Sequence, residues 1–194
     1  MTRLAVVLIV VLGCNKSSEI DVGAINALVP ANHRYKLEFQ VRTIALPGKH
    51  GLVFELAVPK GWRNNNGELV PNKDIFGPGT STSISSSCTP EGKTAPDHLA
   101  DDWLPCTAQN WEEIVDRKIA SDYLQVIRND KEPRRRTIVY TGGISNPDDL
   151  GIAVMWWTDG AKEYFTCSAA LAALARDDLP AFEQACRSAV VRAD

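Results

Sequence analysis

The sequence predicts an α+β fold, a central antiparallel sheet with helices packed on its faces. Three observations point there. Residues 35–44 alternate apolar and polar, pass through Pro47-Gly48, and lead into a second apolar run, 52–58, which together read as an antiparallel hairpin. Residues 151–157 are apolar at every position and reach a partner, 163–169, through Asp159-Gly160, a hairpin turn signal. Two further stretches, after Thr107 and after Asp178, carry apolar residues at helical spacing.

The first fourteen residues, MTRLAVVLIVVLGC, are an address rather than part of the fold. Arg3 supplies a positive start, and Leu4 to Leu12 is uncharged and apolar. A run of about 9 residues is too short to cross a bilayer as a helix, which takes roughly 20, but suits a signal-peptide core. Val11-Leu12-Gly13-Cys14 has the form of a bacterial lipobox, so cleavage is expected before Cys14 and lipid on it. An ordinary secretory signal is the alternative. Two acyl chains and an N-acyl group would make a stable anchor, where one chain gives marginal binding. Asn15 stands where an Asp favours inner-membrane retention in lipoproteins resembling those of enteric bacteria, so the expected location is the periplasm-facing side of the outer membrane. The resulting organisation is a signal peptide at 1–13, a lipidated tether at 14–33 and a single domain at 34–194. Within the tether, residues 22–29 are apolar enough to dock on the domain or form a helical turn.

The first strand should place Tyr35, Leu37, Phe39 and Val41 on one face and Lys36, Glu38, Gln40 and Arg42 on the other. Pro59 ends the second strand because it has no N–H to give a ladder; Gly61 turns the chain, and Trp62 is free to cap the core. Thr80 to Ser87 is a hydroxyl-rich run around Ile84, expected as a polar outer strand, with the lining of a binding face as the alternative. Thr107 is a good N-cap for a helix with Trp111, Ile114, Val115 and Ile119 on its apolar side and Glu113 four residues before Arg117. Strands follow at 123–127 and 136–140, joined by a charged turn at 129–135. The 151–157 strand, apolar on both faces, should be covered on both sides and central. Asp178 and Pro180 open a last helix with a stripe of Phe182, Cys186, Ala189 and Val190.

Of 194 residues, 44% are hydrophobic and 23% charged, ordinary for a globular chain. Removal of the peptide would leave about 181 residues, enough for a real core. The net charge of -3 and pI ≈ 5.7 argue against a general nucleic-acid binder. Four cysteines remain beyond Cys14, an even number that in an exported chain suggests disulfides. Three pairings are open; the spacings favour Cys88 with Cys106 and Cys167 with Cys186, and the helical stripe turns Cys186 toward the sheet, where Cys167 could meet it. Each such loop would contribute about 3 kcal/mol by chain entropy. A zinc site is the rival, but the chain has no Cys-x-x-Cys and no His at ligand spacing from a Cys.

The order of hairpin, Phe54 to Trp62 (FELAVPKGW), long loop, helix, the antiparallel pair 151–169 and a terminal helix with Phe182-x5-Ser188 resembles the PsbP-like sandwich, a fold shared by bacterial envelope lipoproteins of the DcrB type. The resemblance covers about 130 residues, with Pro59, Gly61 and Trp62 as its local motif. It implies an α/β/α sandwich and no catalytic residues, its members acting mostly as binding or assembly factors. The four cysteines and the hydroxyl strand lie outside its pattern.

Of the histidines, His33 falls in the tether and His50 in a turn, and there is no Gly-x-Ser-x-Gly elbow, phosphate loop or dinucleotide fingerprint. The acidic pairs Asp101-Asp102, Asp148-Asp149 and Asp177-Asp178 read as solvated loop or helix-start residues. Asp97, His98, Asp101 and Asp102, inside the Cys88–Cys106 loop, could hold a cation, though a solvated loop accounts for them better. Arg134-Arg135-Arg136 could touch anionic lipid or polymer, but reads first as the rim of a turn. No cofactor or metal is expected. The expected function is a membrane-anchored, non-catalytic binding or assembly module for an envelope protein or polymer. Its recognition surface would be the Cys88–Cys106 loop with Trp103 and Asp101, because the irregular segment from roughly Asn64 to Pro105 exceeds the about 12–15 residues beyond which such stretches are usually functional or disordered; packing of Trp103 on the helix after Thr107 is the alternative. The alternative is an envelope hydrolase with a cation in the 97–102 loop.

Overall fold

Two antiparallel sheets and three α-helices make up the described residues, which are 20–45, 51–65, 68–71, 81–86, 106–122, 125–141 and 150–193 of a computed structural model. In chain order they are α1 (Val22–Ala27), β1 (Phe39–Ala45), β2 (Leu52–Pro59), β3 (Arg63–Asn65), β4 (Glu68–Val70), β5 (Ser81–Ser86), α2 (Trp111–Asp122), β6 (Gln125–Glu132), β7 (Arg135–Thr141), β8 (Leu150–Thr158), β9 (Glu163–Leu171), a 3-10 helix (Ala173–Asp178), α3 (Leu179–Arg187) and β10 (Val190–Ala193). The larger sheet runs β3-β4-β5-β9-β8-β7-β6; the smaller runs β1-β2-β10. The α+β class with antiparallel strands and packed helices is therefore as the sequence predicts, with one difference. The expected single sheet is divided, and the β1–β2 hairpin belongs to a separate sheet that packs over a face of the larger one.

Strand β8 explains why both faces need cover. Its alternate residues Ile152 and Val154 enter one apolar cluster, and Ala153, Met155 and Trp157 enter the other. The first cluster joins the larger sheet to β1, β2, α1 and α3, with Phe54 against Phe165 (ring centroids 5.1 Å) and Phe182 between Phe39 (5.3 Å) and Trp62 (5.8 Å). The second is closed by α2, whose Trp111, Val115 and Ile119 cover Ile138, Met155, Trp157 and Tyr164. A 12-residue helix is marginal alone; burying three such side chains at about 1.5–3 kcal/mol each is what holds it. Thr107 caps the turn ahead of it, its hydroxyl accepting from the Asn110 N–H at 3.2 Å, and Glu113 bonds Arg117 at 2.6 Å as the spacing predicts.

The Pro-x-Gly-Trp motif has a clear mechanical role. Pro59 pairs with Phe39 at the last rung of β2, Gly61 takes φ 76, and the Trp62 ring turns inward to 5% exposure on Phe182. A positive φ suits Gly because it has no Cβ to clash.

Five expectations are corrected. Tyr35 does not begin the first strand: it is 84% exposed, and the strand starts at Phe39 after turns through 31–36. The domain does not begin at residue 34: α1 forms and docks, as the apolar character of residues 22–29 allows, with Ile20, Ile25 and Val29 buried, so the fold begins at least as early as Ile20. The hydroxyl strand β5 is not an outer strand. It lies between β4 and β9, with Thr82 buried opposite Ala169, and with β3 and β4 it breaks up the irregular stretch expected from residue 64 onward. The 129–135 turn shrinks to Pro133-Arg134, with Glu132 paired to Arg135; Pro133 fixes a negative φ and Arg134 takes φ 60, the sign pattern of a type II turn. Finally, α3 stops at Arg187, and Val190 leaves the expected helical stripe to pair with Glu55 in β10, since β-branched Val190 and Val191 favour a strand.

Candidate functional site

The segment before the first strand is built by local bonds. Asp21 caps α1, its carboxylate accepting from the Ala24 N–H at 2.9 Å. Asn26 acts as a substitute strand neighbour for Phe39: its amide donates to the Phe39 carbonyl at 3.2 Å and its oxygen accepts from the Phe39 N–H at 2.7 Å. Arg34 turns back over the end of α1, donating to the carbonyls of Val29 (3.1 Å) and Ala27 (3.3 Å). The turn from Pro30 to His33 then aims the imidazole at the start of α3.

There His33 Nδ1 lies 3.0 Å from both carboxylate oxygens of Asp178, whose side chain is fully buried. Asp178 stands at the N-cap of α3 but makes no side-chain cap bond; its carboxylate is spent on His33. Burial pushes its carboxyl above the usual range, the His33 bond and charge pull it back, Lys36 adds to that pull, and Asp177 opposes it. Acid and imidazole are thus in contact, as in the orienting half of a nucleophilic triad. Among the described residues the ring bonds Asp178 alone, and what the pair does is fasten the N-terminal segment to a helix 145 residues away.

A second polar constellation lines the β6 side of the larger sheet. Val126 pairs with Tyr140 and Arg128 with Val139, so Ile127 is an extra residue, a bulge. The bulge turns Arg128 to the α3 face, where it bonds Glu183 at 2.6 Å and Asp130 at 2.9 Å; the Glu183 bond is the main reason its guanidinium is held above its ordinary range. Further along, Arg187 of α3 bonds Glu132, whose carboxyl is lowered by it, and donates to Thr137 at 3.0 Å. On the other face Asp116 of α2 takes Arg136 and, at 3.4 Å, Lys131. These pairs clamp α2 and α3 to opposite faces of one hairpin.

The structure distributes the sequence-predicted residues as follows. Cys167 and Cys186 form a disulfide across β9 and α3, with Cα atoms 5.3 Å apart. Cys106 is disulfide-bonded and packs against the Trp111 cluster; Cys88, its expected partner, lies outside the described residues. So do Cys14, Trp103, Asp101 and the remainder of the 97–102 loop, along with His50, His98 and Asp148-Asp149. Asp177 is exposed while Asp178 is buried, so that acidic pair is divided between solvent and core. The arginine run is divided too: Arg134 bonds Asp159, which Trp157 also bonds at 2.8 Å, and Arg136 is buried against Asp116, leaving no uniform basic rim. Among the described residues no group of three or more His, Cys, Asp or Glu could hold a metal, and no helix is long and apolar enough to cross a membrane. The sequence reading missed the His33–Asp178 contact, for which no local signal exists beyond an Asp at a helix start.

No family model matches the chain, and no curated protein matches it. Among solved structures it is similar to the Ran-binding protein Mog1p of Saccharomyces cerevisiae, at 10% identity and a TM-score of 0.42 over 79% of this chain and 96% of that one. A point mutant of Mog1 gives the same identity and TM-score over 78% and 95%.

Proposed function

We propose that this chain is a lipid-anchored protein of the bacterial envelope that works as a non-catalytic binding or assembly module. It would be held by acylated Cys14 on the periplasm-facing side, in the outer membrane rather than the inner. Its recognition surface would be the loop that ends at Cys106 and carries Asp101 and Trp103. The observation that supports this reading is the base of that loop. Cys106 is disulfide-bonded, packs on the Trp111 cluster, and is followed at once by the Thr107 cap of α2. A loop leaving a fixed base loses less entropy when it binds, and Trp is the residue type that most often anchors an interface.

The position of α1 adds a second element. Five residues separate Cys14 from Ile20, six steps that span about 20 Å at full stretch. The domain would therefore stay close to its membrane, and a partner in the same layer would meet it at high effective concentration.

Mass spectrometry of the native protein should find a mature chain that begins at an acylated Cys14. Cross-linking in intact envelopes should then capture a partner, and replacing Trp103 and Asp101 together should weaken that capture with thermal stability nearly unchanged. A lipid-free product cut elsewhere ends the anchor reading. A collapse of stability with capture per folded molecule unchanged ends the recognition reading.

A further inference from the structure

Four large apolar side chains are markedly exposed among the described residues, and two of them, Leu28 (44%) and Tyr35 (84%), fall in the short segment that follows α1. Arg34 binds this segment together. It bonds the carbonyls of Ala27 and Val29, so its guanidinium lies against the backbone on either side of Leu28. The ammonium of Lys36 sits 5.9 Å from the centre of the Tyr35 ring. One exposed apolar chain, one exposed aromatic ring and two cations thus fall within nine residues, 28–36. Between Asp21 and Glu38 the sequence has no acidic residue, although the chain as a whole is acidic. The nearby carboxylates are Asp178, buried and held by His33, and the exposed Asp177.

We propose that the face made by Leu28, Arg34, Tyr35 and Lys36 rests on the lipid headgroups of the membrane that carries the anchor. The inference depends on the lipid-anchor reading above. The chemistry fits a bilayer surface in each part: tyrosine rings are enriched at membrane–water interfaces, with the ring at headgroup level and the hydroxyl in water; Arg and Lys meet lipid phosphates; and a single Leu enters the acyl boundary at little cost. The chain outside the described residues fits as well. The anchor joins the fold at Ile20, one end of α1, and the patch lies at the other end of this six-residue helix, about 10 Å away at 1.5 Å per residue. A connection of five residues reaches far enough to let that face settle on the surface. His33 gives the surface its stiffness, because its bond to Asp178 fixes the patch relative to α3.

The test is hydroxyl-radical footprinting of the lipidated protein in vesicles of phosphatidylethanolamine and phosphatidylglycerol, read by mass spectrometry, beside the unlipidated mature chain, carrying Cys14→Ser and lacking residues 1–13, free in solution. Ile127, 58% exposed on β6, is the internal reference. Oxidation at Tyr35 relative to Ile127 should fall about fivefold on the vesicles, as for a group withdrawn into the interface, and should stay high in solution. Intact mass of the same sample reports whether Cys14 is acylated. Acylation with unchanged labelling at Tyr35 overturns this inference and leaves the anchor standing. Absence of acyl chains overturns the anchor and this inference with it. Protection of Tyr35 that is equal in lipid-free solution assigns the face to a second copy of the chain and likewise overturns it.

Discussion

Replacing His33 by Ala removes the only bond the described structure gives the buried Asp178 carboxylate. Breaking a buried pair by deleting one partner costs about 3–5 kcal/mol, because the remaining charge is stranded. His33 keeps 11% exposure, so some solvent reaches the pair and the lower end applies, about 3 kcal/mol. For a domain of this size that is a fall in Tm of about 6–12 °C. The pH dependence follows from Asp178, whose carboxyl sits above its unfolded value through burial. A raised acid pKa means the native state holds the proton more tightly than the unfolded one, so stability falls as pH rises from the unfolded value through the folded one. Without His33 the downward pull is lost, the folded value rises further, and the fall is larger. The deficit of His33→Ala should therefore be greatest near neutral pH and shrink below the ordinary carboxylate range, about 3.9. Adding Asp178→Asn to His33→Ala should restore stability at neutral pH, since an amide needs no cation. Urea titrations at several pH values under non-reducing conditions measure all of this. A deficit below about 1 kcal/mol, or one that is flat with pH, would refute the argument that a stranded charge is what matters.

Three other outcomes are expected. Gly151→Ala should cost about 1–3 kcal/mol by overpacking, because an added Cβ would fall 2.2 Å from Cζ of Tyr140, its cross-strand partner; in a Tyr140→Ser background the same change should cost far less, and a neutral Gly151→Ala would show that the ring simply moves aside. Replacing Cys167 and Cys186 together by Ala should cost about 3 kcal/mol on a chain-entropy model for a separation of 19 residues, checked by comparing denaturation of the variant with that of the parent under oxidising conditions. Deleting Ile127 should change stability by less than about 1 kcal/mol, because a bulge residue is the one the ladder leaves out: Val126 and Arg128 already pair with consecutive residues of β7, and a loss of several kcal/mol would mean that Ile127 anchors something further.

What the sequence made legible is what short range decides. Short apolar runs bounded by turn residues placed β2 and β8, and the absence of a polar face on residues 151–157 located the one strand that serves both apolar clusters. Helical period placed Trp111, Val115 and Ile119 inward, and the stripe of α3 brought Cys186 to Cys167. What it hid is what depends on distant partners. His33 looks like a tether residue until Asp178, 145 residues on, is beside it. Strict alternation from Val126 puts Arg128 on the α2 face, and only the one-residue bulge, invisible in a polar strand, turns it toward Glu183. A Ser-rich run reads as solvent-facing because hydropathy scores each side chain alone, whereas the place of β5 is set by the strands that pair with it, β4 and β9. The same reasoning bears on the N-terminus. Apolar Ile20, Ile25 and Val29 repeat at intervals near a helical turn, yet six helical residues cannot hold a helix in water. Their helix exists because α3 and β1 give its buried face a surface, because Asp21 caps it, and because Asn26 and His33 lock the chain beyond it. If those locks are what keep the segment folded, His33→Ala should raise amide exchange across 22–29 before it affects β8, and uniform acceleration in both would mean the segment melts only with the whole domain.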